Sequence, residues 1–119
     1  ISKYHLEAGI AYWHTTPTDE NKWEYILRLY NQLIIIEYSS VIALNRTFAY
    51  GKVYGKEKAI VEAEKLGLQD NRYYHELLGY LYTDINNQKA IAHYQKAIAL
   101  SKSANERATL QKQIEQLVK

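Results

Sequence analysis

An all-α protein assembled from paired helices is what the sequence predicts, and three observations lead there. The first is a recurring apolar comb. Between Lys89 and Leu100, residues Ala90, Ile91, Tyr94, Ala97 and Ile98 fall at i, i+1, i+4, i+7 and i+8, which is one face of a helix. Moving back 31 residues, Ala59, Ile60, Ala63 and Leu66 repeat the comb until Gly67 stops it, and 33 residues before that Ile26, Leu27, Tyr30, Leu33 and Ile34 repeat it again. The second observation is scarce punctuation: one proline and five glycines in 119 residues are too few for the turns of a β-sandwich or barrel. The third is that each comb follows another helical stretch, over about 3–14, 40–53 and 72–84, so the repeating unit is a helix pair.

Local chemistry accounts for the breaks in order. Thr15-Thr16-Pro17-Thr18-Asp19 reads as a loop ending in a candidate N-cap, Thr18 or Asp19, for the first comb. Ser39 or Ser40 can cap the helix over 40–53, and Gly55 separates it from the second comb. Gly67 stands where a left-handed C-terminal cap belongs, and Asp70 or Asn71 can cap the helix over 72–84. Asn86-Asn87 forms the turn before the third comb. Ser103 and Glu106, three apart, read as a capping box opening a last helix over 103–118, whose Leu110, Ile114 and Leu117 cover the end of the array. The expected organisation is one helical-repeat domain over 1–119, with units of about 3–38, 39–70 and 71–102 and a capping helix.

Composition narrows the function. A 47% hydrophobic and 24% charged chain of 13.9 kDa is an ordinary globular composition, sized for one domain or a part of something larger. Fifteen Lys and Arg against thirteen Asp and Glu leave a net charge of +2, too balanced for a dedicated nucleic-acid surface. Glu57, Glu62 and Glu64 interleave with Lys56, Lys58 and Lys65, which is a solvated helix face and not a phosphate-tracking stripe. With no cysteine, disulfides, thiol nucleophiles and thiolate metal sites are excluded. No apolar run is long enough to span a bilayer, and none follows a charged leader. No methionine occurs, so Ile1 is not expected to be a natural start, and the chain reads as a piece of a longer polypeptide.

Chemistry-bearing constellations are sparse. His5, His14, His75 and His93 include no i, i+4 pair and no H-E-x-x-H motif, so no zinc site is expected, and His93 beside the comb should face solvent or be partly packed. Gly51-Lys52-Val53-Tyr54-Gly55 lacks the spacing and the strand of a phosphate loop. None of the five serines sits in a nucleophile elbow. The expectation is no enzyme, no cofactor and no metal. Twelve tyrosines, with Trp13, Trp23 and Phe48, leave two readings open, a recognition surface or helix–helix packing with the hydroxyl in water.

A helix-pair period of about 34 residues resembles the tetratricopeptide repeat. The third unit carries the likeness best, through Leu78-Gly79, Tyr82, Ala90, Tyr94 and Ala97, although its turn departs by one residue and Lys102 replaces the usual proline. Thr47 stands where the second unit would have glycine or alanine, and the first unit is recognisable only in its second helix. The resemblance implies a tetratricopeptide-like right-handed stack of three helix pairs plus a C-terminal capping helix.

A longer order of motifs is more specific. Tyr4-His5-Leu6-Glu7-Ala8-Gly9-Ile10-Ala11, then Thr18-Asp19, Trp23, Ile26 and Leu29-Tyr30, then Ser39-Ser40-Val41-Ile42-Ala43-Leu44-Asn45-Arg46, resemble the C-terminal tetratricopeptide-like extension of one group of extracytoplasmic-function RNA polymerase sigma factors. The likeness runs over essentially the whole chain. It departs in the longer spacing before Trp23 and in Ser40, where the family has proline. It implies a cytoplasmic, non-catalytic regulatory domain for transcription initiation that contacts the factor's own N-terminal regions, RNA polymerase or another regulator. The promoter- and core-binding regions would lie outside these residues, so no direct nucleic-acid binding and no membrane association are expected. A generic tetratricopeptide adaptor for a peptide or protein partner is the competing reading.

In helix-pair solenoids the first helix of each pair lines the concave face. The candidate partner-binding residues are therefore His5 and Trp13 on the first helix, Asn45, Arg46, Phe48 and Lys52 on the third, and Tyr73, Glu76 and Tyr80 on the fifth, offset from a Leu78–Leu81–Ile85 packing stripe. Asn45 and Arg46 have a second reading, which the residues favour: a polar clamp at a helix seam, Asn45 satisfying a buried group or Arg46 pairing with a carboxylate such as Glu37.

Overall fold

A computed structural model describes residues 2–15 and 20–118, and among them seven helices are present: α1 (Lys3–His14), α2 (Lys22–Ile36), α3 (Ser40–Tyr54), α4 (Lys56–Leu66), α5 (Arg72–Tyr82), α6 (Asn87–Leu100) and α7 (Ala104–Leu117). The fold class is all-α, and the described residues contain no strand. Side-chain caps start most of these helices. Ser39, not Ser40, accepts from the Ile42 N–H to open α3, and Asn71, not Asp70, accepts from the N–H groups of Tyr73 and Tyr74 to open α5. Each such cap contributes about 1 kcal/mol relative to alanine. Thr18 and Asp19, the caps expected for α2, lie outside the described residues.

Two expectations need correction. Ser103 accepts from the Glu106 N–H, but the Glu106 carboxylate reaches toward Arg72, so only half of the capping box forms. The fifth helix stops at Tyr82, two residues before the expected end. Thr83 turns its hydroxyl onto the Gly79 carbonyl at 2.8 Å, and Asp84 takes a positive φ of 68° with its N–H donating to Asn87 Oδ1. Ile85 consequently sits in a turn, 44% exposed, and not on the packing stripe. Gly67 has the left-handed φ of 59° that ends α4, a conformation open to glycine at little cost.

The chain divides into two compact bodies, Ile1–Gly55 and Lys56–Lys119. Of the two helices in the expected middle unit, 39–70, α3 falls in the first body and α4 in the second.

In the first body α2 packs on both α1 and α3. Trp13 meets Tyr25, Gly9 meets Leu29 and Lys3 meets Glu37, so numbers fall along α1 as they rise along α2 and the pair is antiparallel. The first comb supplies Ile26, Leu27, Tyr30 and Leu33 to a core with Leu6, Ile10 and Ala49. Burying each large apolar side chain stabilises by about 1.5–3 kcal/mol.

In the second body α5 packs on α4 and α6, and α6 packs on α7. The other two combs are buried there through Ala59, Ile60 and Ala63 and through Ala90, Tyr94 and Ala97. Leu110 and Ile114 of α7 close over Tyr94 and Ala97, with Ile91, Ile98 and Leu117 at the margin, as expected of a terminal covering helix. Placed between two helices, α5 buries Tyr74, His75, Leu77, Leu78, Gly79, Leu81 and Tyr82.

Two glycines in helix interiors give a direct test of this packing. A Cβ at Gly79 would stand 2.7–2.8 Å from three ring atoms of the buried Tyr94, whereas one at Gly9 would meet a Leu29 methyl at 3.0 Å. Both changes to alanine gain about 1 kcal/mol of helix propensity. The Tyr94 ring cannot step aside and the leucine methyl can, so Gly79→Ala should lose about 1–2 kcal/mol net and Gly9→Ala should be neutral or slightly stabilising. Urea unfolding of the two variants checks this; equal effects would mean that α5 and α6 do not approach as described.

Candidate functional site

The first body carries an aromatic surface where α1 ends and α2 begins. Antiparallel packing stacks Trp13 on Tyr25 at 4.4 Å and 11°, with Tyr12 edge-on to Trp13 at 5.4 Å. Beside them Trp23 meets Phe48 of α3 edge-to-face at 5.5 Å, and His14 meets Trp23 at 5.6 Å. Cations rim these rings. The Lys22 and Lys52 ammonium groups lie 5.3 and 5.7 Å from the Trp23 ring, Lys52 also lies 5.4 Å from Phe48, and the Arg28 guanidinium lies 5.5 Å from Tyr25. Each such contact at an accessible site contributes about 0.5–1 kcal/mol. Trp13, Trp23 and Phe48 are half-buried, so the start of α2 carries one aromatic pair toward α1 and another toward α3, each with cations over its rings.

Of the candidates on this body, Trp13, Phe48 and Lys52 belong to that surface. His5 does not. It lies two turns away along α1, where Ser2 Oγ is 2.7 Å from its Nδ1 and also caps its N–H. Trp23, which the sequence places in the family-like motif and among the aromatics of a possible recognition surface, and Tyr25, which it does not single out, are both central. The available signal was that Trp23 precedes Ile26 by three residues and therefore sits at the edge of the first comb.

Asn45 and Arg46 form a clamp across the α2–α3 seam, with partners other than those expected. The Asn45 side chain is hydrogen-bonded to the hydroxyl of Tyr30; burial raises the Tyr30 pKa and this bond opposes the rise. Arg46 Nε donates to Asn31 Oδ1 at 2.6 Å, and its guanidinium lies 5.9 Å from the Tyr50 ring. Glu37, the carboxylate expected for Arg46, pairs with Lys3 at 2.7 Å instead. A cleft of about 330 Å³ lies alongside, lined by Glu24, Leu27, Arg28, Asn31, Val53 and Tyr54.

On the second body the three candidates of α5 differ in role. Tyr73 is 57% exposed, its ring 4.3 Å from the Arg72 guanidinium. Glu76 is tied into the fold: Arg72 Nη1 donates to its carboxylate at 2.7 Å, while Arg72 Nε stands 3.6 Å from Glu106. Burial raises the Glu76 pKa, Arg72 opposes that rise and Glu106 adds to it. Tyr80 is half-buried with the Lys56 ammonium 4.6 Å from its ring. A cleft of about 330 Å³ opens beside Asn71, Arg72, Tyr73, Lys102 and Glu106. The feature not anticipated is His75, which is buried and in contact with His93; it shares the face of α5 that carries Leu78 and Tyr82, a spacing legible in the sequence.

Among the described residues no group of three or more His, Asp or Glu is placed to hold a metal ion, and no helix is long and apolar enough to cross a membrane.

No protein-family model matches the chain. It is similar to an uncharacterized protein of Rhizobium meliloti (strain 1021), 34% identical over an alignment of 119 residues that takes in 96% of this chain and 28% of the relative. The chain therefore spans less than a third of the length of that curated relative.

The clamp has a measurable consequence. Removing the Arg46 side chain takes away the bond to Asn31 and the cover over Tyr50. Arg46→Ala should destabilise the first body by about 1 kcal/mol, and Arg46→Lys, which keeps the charge but not the guanidinium geometry, should recover less than half of that. Urea unfolding followed by tryptophan fluorescence reads this directly, because Trp13 and Trp23 both report on the first body.

Proposed function

We propose that this helical domain is a non-catalytic, regulatory protein-interaction part of a bacterial sigma factor, working in the cytoplasm in transcription initiation. Its partner would be the factor's own preceding regions or RNA polymerase or a regulator, with promoter recognition left to regions outside these residues. The order of motifs from Tyr4 through Arg46 supports this reading, as does a bacterial relative more than three times as long as the stretch it shares with the chain.

The observation that carries the interaction role is the pair of aromatic contacts at the start of α2, Trp13 with Tyr25 and Trp23 with Phe48, with Arg28 over the first and Lys22 and Lys52 over the second. Trp and Tyr offer a large contact area with few rotamers to freeze, and Arg and aromatic side chains dominate protein interfaces energetically. Tethering to preceding regions of the same chain would raise the effective concentration, so even a modest surface would dock. Near-neutral charge with interleaved signs suits a protein partner better than a phosphate backbone, whose binding needs clustered cations.

Docking on the separately expressed preceding regions of the full-length protein tests this by calorimetry. The double variant Phe48→Ala, Lys52→Ala should bind at least about five- to tenfold more weakly, a loss of a kcal/mol or more. Its circular dichroism should stay that of the parent. Undiminished binding would move the interface elsewhere. Failure of the parent to bind those regions, together with capture of an unrelated peptide on the same surface, would favour the generic adaptor.

A further inference from the structure

The second body contains a histidine pair that the interaction surface does not use. His75, on α5, is 1% exposed. Its Nε2 lies 2.7 Å from the Gln69 carbonyl oxygen, and because a carbonyl only accepts, that nitrogen carries a hydrogen. Its Nδ1 lies 3.0 Å from Nδ1 of His93 on α6, with the rings 5.3 Å apart and 28° from parallel. One proton therefore occupies the bridge. The Tyr82 ring lies parallel to that of His93, at 5.7 Å and 7°, and its hydroxyl donates to the Glu64 carboxylate of α4 at 3.0 Å.

Counting protons shows what the arrangement can hold. With both rings neutral there are two, one on Nε2 of His75 and one in the bridge. A third can be added on Nε2 of His93 without disturbing either hydrogen bond. A fourth would set two N–H groups face to face at 3.0 Å and two positive rings side by side, so the contact cannot keep it. The unfolded chain has no such limit and takes up all four.

We propose that the His75–His93 bridge is an acid-operated release within the second body, tying α5 to α6 at neutral pH and letting them part as the pair fills with protons. The groups bearing on His93 come from each neighbouring element: Glu64 from α4, His75 and Tyr82 from α5, and Lys89 and Lys96 from its own α6. Burial comes first in lowering the His93 pKa, followed by the charge of His75; Glu64 opposes the fall, and the two lysines add to it. With the folded value below the unfolded 6.5, the bridge contributes its full stability above about pH 6.5 and loses it as pH drops below that value. This release acts on α5, which carries Tyr73 and Tyr80, and is independent of the aromatic surface of the first body.

Amide hydrogen exchange on the full chain between about pH 7.5 and 5.5, corrected for intrinsic rates, is the test. The opening equilibrium of α5 and α6 should rise by about tenfold, and up to about a hundredfold, per pH unit below 6.5, the slope of one to two protons, while α1 and α2 show no matching slope. His93→Gln isolates the cause. The amide can turn either its N–H or its C=O toward His75 and so matches both protonation states, and every carboxylate of the parent is retained. In that variant the slope should fall below about threefold per pH unit. The parental slope persisting in His93→Gln would overturn the proposal. Should that variant not fold, nitrogen-15 spectra of the parent's imidazoles decide: loss of the N–H···N coupling together with α5–α6 protection supports the release. Independent protonation of both rings with protection unchanged refutes it.

Discussion

Close approach of α5 to α6 depends on the missing side chain at Gly79, where a Cβ would stand 2.7 Å from the Tyr94 ring. Everything else in the second body is arranged around that distance. Ala90 and Ala97 flank Tyr94 on α6 and are fully buried, so the helix surface beside the ring is as low as the sequence can make it. The ring then fills the space above the glycine, its pKa raised by burial and held back by the hydrogen bond to Thr83. With the axes this close, His75 reaches His93. α7 is brought over Tyr94 and Ala97 near enough for Arg72 to stand between Glu76 and Glu106. Helix faces this smooth pack by backbone proximity, and interiors at crystal-like density tolerate one added methyl poorly.

Tyrosine has two separate settings in this chain, one in the core and one nearer the surface. Tyr30, Tyr74, Tyr82 and Tyr94 are buried, and their hydroxyls hydrogen-bond with Asn45, Gln69, Glu64 and Thr83 (Gln69 Nε2 donating to Tyr74, Tyr82 donating to Glu64), which satisfies the polar end of an otherwise apolar ring. Tyr25, Tyr50, Tyr73 and Tyr80 lie nearer the surface, each with an Arg or Lys charge within 6 Å of the ring. The first group builds the core. From the second group, Tyr25 joins Trp13, Trp23 and Phe48 among the residues on which the proposed interaction role rests.

Polar residues placed mid-helix prove to be seams. Asn45 and Arg46 cross from α3 to α2, and Thr47 between them is buried with its hydroxyl returned to the Ala43 carbonyl at 2.8 Å. A buried or half-buried polar group costs stability unless it finds a partner, so such residues are retained where a partner is fixed by the packing. That is why Arg46 is tied to Asn31 while Glu37 goes to Lys3. The choice between two possible carboxamide or carboxylate partners is made by where the α2–α3 and α1–α2 pairs come together.

By itself the sequence determined the local architecture: seven helical segments, the residues that cap most of them, and the combs that face inward. Those properties are set within about one helical turn, by side chains competing for backbone groups and by a 3.6-residue period. Tertiary structure alone decided what stands opposite what. Trp23 meets Phe48 across 25 positions of sequence, His75 meets His93 across 18, and Glu106 leaves its capping box for Arg72. Helix offset and rotation choose such partners, and both follow from the sum of many small packing contacts that no single stretch of sequence contains. The His75 ring shows the difference most plainly: its position on the buried stripe was legible, and the proton it shares with His93 was not.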